Sequence, residues 1–131
     1  MKQSFTVPVY DWKVTVYYAI GKAGAKEAAD ELEKAGCRGE TLETAKANLN
    51  KAAPDTGFAY SNYATRCSVL VIHKATSIGE FINTLSHEKN HLEMHICEAS
   101  DINPYSEEAA HLSGDLAQAI LEEALCSIVT L

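Results

Sequence analysis

The stretch from Ser77 to Ala99 limits the fold of this chain more than any other. No proline interrupts it, and Ser77-Ile78-Gly79-Glu80 has the form of a capping box, with Ser77 as N-cap and Glu80 three positions on. Ile78, Phe81, Ile82, Leu85, Leu92 and Ile96 recur at helical spacing on one side, with Lys89 the misfit. At 100° per residue, His87 and His91 fall on the opposite side, beside Thr84 and Glu98. A helix with one apolar and one polar side needs a second layer to pack against.

The rest of the chain supplies that layer. Residues 5–10 and 13–20 are rich in β-branched and aromatic side chains and read as a hairpin, with Pro8 at an edge or irregular position. Residues 57–63 and 66–73 return to strand character. The run Val69-Leu70-Val71-Ile72 suits a strand buried on both faces, and His73 at its end reads as a surface or capping residue. Residues 25–35, capped by Gly36, and 41–51 predict two helices with narrow apolar stripes. After the turn at Asn103-Pro104, where Asn103 or Ser106 can cap, a last helix runs to about Val129 with Leu112, Leu116, Ile120, Leu121, Ala124 and Leu125 available for packing. The expectation is an α+β fold: a small mixed or antiparallel sheet of about four strands against the 77–99 helix and a C-terminal helix, all in one domain over residues 1–131.

Composition narrows the function. A net charge of −7 argues against a nucleic-acid binder, which would carry a basic stripe. No run approaches the roughly 20 apolar residues of a membrane span, and the first residues lack a signal-peptide core, so a cytoplasmic protein is expected. Cys37, Cys67, Cys97 and Cys126 form no close pair, which fits reduced thiols better than a cysteine-rich zinc site.

The polar face of the 77–99 helix carries His87-Glu88-Lys89-Asn90-His91. Histidines four apart can hold one Zn²⁺, one ion per chain, while the intervening glutamate acts as general base on a water. A catalytic zinc usually takes three protein ligands. His95 is excluded because it lies about 12 Å from His87 along the helix axis, and Glu98 fails for the same reason. The extended HExxHxxGxxH pattern is absent, since Met94 and Cys97 stand at its last two fixed positions. The next helix offers Glu107 as third ligand, with Glu108 and His111 as alternatives.

The span 86–116 joins the histidine–glutamate helix to Ile102-Asn103-Pro104-Tyr105-Ser106-Glu107-Glu108-Ala109-Ala110-His111-Leu112-Ser113-Gly114. It resembles small uncharacterised proteins of phages and prophages that look like minimal gluzincin-type metallopeptidases. These share a glutamate followed by an alanine-aromatic-leucine-x-glycine stretch. Here His111 stands where an aromatic is usual, and an aspartate four residues after the glutamate is missing. His111 could ligate, support the site or donate to an oxyanion. The resemblance implies hydrolysis of a peptide or protein substrate, with Glu88 as base and Tyr105 or His111 as oxyanion donor. An extended peptide could pair with the strand ending at His73 if that strand borders the cleft. The alternatives are a zinc-stabilised accessory module without turnover, working with a phage or host protein, and a metal-free helical interaction protein.

Overall fold

The computed structural model describes residues 1–129, and side chains through residue 126. Four strands and four α-helices follow in the order β1 (Lys2–Val7), β2 (Trp12–Ile20), α1 (Ala25–Lys34), α2 (Gly39–Lys51), β3 (Gly57–Asn62), β4 (Cys67–His73), α3 (Ile78–Ala99) and α4 (Glu107–Val129). The expected α+β class and its four-stranded mixed sheet are what the chain forms. Among the described residues no helix is long and apolar enough to cross a membrane.

The sheet order is β1-β2-β4-β3. The β1–β2 hairpin is antiparallel, β2 and β4 are parallel, and β3 lies antiparallel to β4 at the sheet's edge. Pro8 begins a short 3-10 turn between the hairpin strands, where its missing N–H costs no ladder bond. Alternation along the inner strands divides two cores. Val14, Val16, Tyr18, Leu70 and Ile72 meet α3 and α4, while Tyr17, Val69 and Val71 meet α1 and α2. On α3, Leu85, Leu92 and Ile96 are almost fully buried, each worth about 1.5–3 kcal/mol of transfer free energy. The capping box forms as expected, with Glu80 N donating to Ser77 Oγ at 3.1 Å. Ser106 rather than Asn103 caps α4, accepting from Ala109 N at 3.2 Å.

Three sequence-based expectations need correction. Ile78 and Ile82 are 63% and 48% exposed, and Leu121 and Leu125 are also exposed. In the same turns Phe81, Ile120 and Ala124 take the buried positions, so the apolar stripe is wider than the face that packs. His73 is buried, 1% exposed, with Nε2 2.8 Å from Asn48 Oδ1 and Nδ1 3.4 Å from the Ile20 carbonyl. Burial lowers its pKa, and the Ile20 contact opposes that shift. Finally, β4 has neighbours on both sides, so its backbone is already paired and β3 presents the free edge.

Candidate metal centre

Three contacts hold one flank of α3 against β3. Thr84 Oγ1 donates to the Asp55 carbonyl at 3.2 Å, just before the strand. Glu88 lies over Gly57, where a Cβ would come within 3.3 Å of Glu88 Cγ and would collide with the Val71 carbonyl. Ser61 Oγ is 2.7 Å from His95 Nδ1. Strand alternation puts Gly57 and Ser61 on the same face, and helical spacing puts Thr84, Glu88 and His95 on one flank, so the two elements meet along their length.

Glu88 is therefore only 5% exposed, although it belongs to the helix's polar side. Among the described residues its carboxylate receives no protein hydrogen bond. Burial pushes its pKa up, while the neighbouring His87 and His91 pull it down. Only Tyr17 Oη and Ser100 Oγ are fully buried without a partner among the described residues, so the Glu88 oxygens face the open rim, where water or a cation can meet them.

His87 and His91 stand at the outer rim of this flank, both exposed, with ring centroids 4.8 Å apart and Nε2 atoms 3.2 Å apart. Two nitrogens bound at 2.0–2.1 Å to one tetrahedral ion are separated by about 3.3 Å. The pair already has that spacing. One ligand atom each from His87, Glu88 and His91 lies within 4.8 Å of the others, and among the described residues this is the one such group able to hold a metal ion. Imidazole and carboxylate donors suit a borderline divalent cation, and zinc is among those they fit.

The C-terminal candidates stand elsewhere. Lys89 Nζ donates to Ser113 Oγ at 3.0 Å, so α4 packs along the flank of α3 that carries Lys89. Residues two apart on a helix point about 200° apart, which puts that flank opposite His91. Glu107 Oε1 meets His111 Nε2 at 3.5 Å, with both side chains in solvent at 86% and 77% exposure. Glu108 accepts from Tyr10 at 3.0 Å. Tyr105 lies in the turn before α4 at 95% exposure. The structure gathers His87, Glu88 and His91, and it does not bring Glu107, Glu108, His111 or Tyr105 into that group.

Sequence reasoning missed the support from β3. Its signal was a glycine and a serine of equal parity, Gly57 and Ser61, on a strand otherwise rich in larger side chains. The centre itself is open, and the shallow depression that includes His87 extends toward Lys89, Glu93 and Ser113. Comparison of the chain with family models, with curated proteins and with solved structures gives no match, so a functional reading stands on these residues alone.

Proposed function

We propose that this chain is a zinc-dependent metallopeptidase in which His87 and His91 hold one ion and Glu88 is the general base. The observation that carries this reading is the 3.2 Å separation of the two Nε2 atoms beside Glu88, a largely buried side chain whose carboxylate has no protein donor and opens on the same rim. A bound zinc ion supplies Lewis acidity, which acidifies water and polarises a carbonyl. Glu88 takes the proton of the attacking water and returns it to the leaving amine. Its seat over Gly57 holds the Glu88 stem against β3 beside the histidines, which limits the positions its carboxylate can take. The free edge of β3 runs beside the centre and offers unpaired backbone groups to an extended peptide.

The open rim favours a second reading, a zinc-stabilised module that binds a phage or host protein without turnover. In such a module the partner would complete the ligand set. Glu107 enters either reading as third ligand only if α4 turns to present it. Elemental analysis of wild type beside His91→Ala, followed by a peptide-library digest with wild type and Glu88→Gln, tests the proposal. About one zinc per chain in wild type, none in His91→Ala, and cleavage abolished in a zinc-loaded Glu88→Gln are the expected results. Wild type without zinc after reconstitution would end the metal reading. Zinc without cleavage would leave the module.

A further inference from the structure

A chain of hydrogen bonds runs from the core to the rim beside the metal pair. Trp12 Nε1 lies 2.8 Å from Ser68 Oγ, Ser68 Oγ lies 2.6 Å from Ser61 Oγ, and Ser61 Oγ lies 2.7 Å from His95 Nδ1. Trp12 is fully buried and Ser68 is 2% exposed. An indole N–H can only donate, so the chain has a fixed starting direction. Ser68 accepts from Trp12 and must place its own proton, and Ser61 Oγ is the acceptor within reach. Ser61 then passes its proton on to His95 Nδ1. The direction that satisfies every donor of the chain without drawing on solvent is the one that leaves His95 neutral with hydrogen on Nε2.

That Nε2–H points away from Ser61 and has no acceptor among the described residues. The His95 ring lies between His91 and Tyr63, with centroids 6.3 Å and 5.9 Å away. Tyr63 is itself held by a 3.3 Å hydrogen bond to Glu98. His95 stands one helical turn, about 6 Å, beyond His91. The α3 helix and the β3 edge run in the same direction, since Gly57 meets Glu88 and Ser61 meets His95. The middle of the His87–His91 pair lies about 9 Å back along the axis and an extended peptide advances about 3.3 Å per residue, so a carbonyl at His95 belongs to a residue about three positions from one at the histidine pair.

We propose that His95 binds substrate, with Nε2–H donating to a backbone carbonyl of an extended peptide about three residues from the reacting bond, and that Trp12, Ser68 and Ser61 position it by fixing its tautomer. This rests on the metallopeptidase reading for the site it extends, but its binding arm needs no turnover. Uniform binding of substrate and transition state lowers KM and leaves kcat alone.

The first test is long-range ¹H–¹⁵N spectroscopy of histidine-labelled protein. His95 should show protonated Nε2 in wild type and a tautomer mixture in Ser61→Ala, while a protonated Nδ1 in wild type would overturn the proposal. The second is kinetics on a quenched-fluorescent peptide library with zinc-loaded His95→Phe and His95→Gln. His95→Phe should keep zinc and raise KM at least tenfold with kcat within threefold, and His95→Gln, which restores an N–H near the Nε2 position, should recover most of the loss. An unchanged KM, a pure kcat loss, or loss of zinc in His95→Phe would each overturn it. If wild type cleaves nothing, the peptidase reading fails separately, and equilibrium binding of the same peptides decides. Weaker binding by His95→Phe than by wild type supports the proposal, and equal or absent binding ends it.

Discussion

Two pairs of side chains in this molecule share the same four-residue helical spacing, and they end in different places. His87 and His91 on α3 stand 3.2 Å apart beside a largely buried glutamate. Glu107 and His111 on α4 meet at 3.5 Å in open solvent, and among the described residues they join no group of three metal-ligating side chains. Spacing brings two donors together in both helices. The difference lies in what the helix packs against. The α3 flank is pressed on a strand that begins with glycine, and that glycine lets a carboxylate sink beside the imidazoles. The first turn of α4 has no such strand beneath it: Glu107 stands in solvent, Glu108 accepts from Tyr10, and both complement the helix dipole.

The sharpest way to break this comparison is to exchange acids for amides. In a zinc-loaded peptide-cleavage assay Glu88→Gln should lower kcat by roughly 10²–10⁴-fold, the usual worth of a positioned general base. Glu107→Gln should stay within about threefold of wild type on the scale of that same effect. Equal losses would mean that α4 reaches the centre and that the two pairs are one site.

Metal affinity gives the next contrast. Removing one of two imidazoles from the pair should weaken zinc binding at least as much as losing a supporting contact, for which about 10–100-fold is usual. His91→Ala and His87→Ala should show this in a competition titration, while His111→Ala and Glu107→Ala should leave affinity unchanged. A loss in Glu107→Ala matching that in His91→Ala would restore Glu107 as third ligand. Zinc should also raise the melting temperature of wild type by mass action, and chelation should remove that gain.

The two pairs were not equally legible in the sequence. The capping box, the apolar positions near the middle of α3 and the exposed side of its histidines follow from local spacing, and the structure keeps them. The four strands were legible from short β-branched and aromatic runs, with an unbroken apolar run marking β4 as an inner strand. Which strand lies at the edge depends on a parallel pairing of β2 with β4 across two helices, and periodicity carries no record of that. His73 looked terminal and is buried because of it. Glu107 looked close to the histidines because a short turn joins the helices. A turn brings α4 back alongside α3, but the flank it covers is set by packing, here through Ala109, Leu112 and Leu116 against the core.

His73 marks the cost of that packing as pH changes. Its folded pKa is lowered by burial, so the unfolded chain binds a proton more readily. Its contribution is whole above the ordinary histidine range near 6.5 and is lost as pH falls through it. Metal-free wild type should therefore melt lower at pH 5.5 than at pH 7.5, and His73→Phe should flatten that slope whatever its own stability. An unchanged slope in the variant would assign the acid sensitivity to other groups.

The smallest expected effects come from two glycines, one in each region. A methyl group at Gly57 would collide with the Val71 carbonyl and crowd Glu88 and Thr84, and none of these can move without disturbing β4 or the centre. Gly57→Ala should cost about 1–3 kcal/mol in urea unfolding, the range for overpacking a tight site. It should also weaken zinc binding if the strand is what sets Glu88 in place. Gly114 lies within α4 with nothing within 4 Å of where a Cβ would stand. Gly114→Ala should stabilise the helix by up to about 1 kcal/mol, since alanine gives up less backbone freedom there. It should leave zinc affinity untouched. Opposite signs in stability, with a metal effect only at Gly57, would tie the centre to its contact with β3. If Gly57→Ala lost stability but bound zinc as tightly as wild type, the seat over the strand would serve the fold alone, and the histidine pair would have to hold the metal without it.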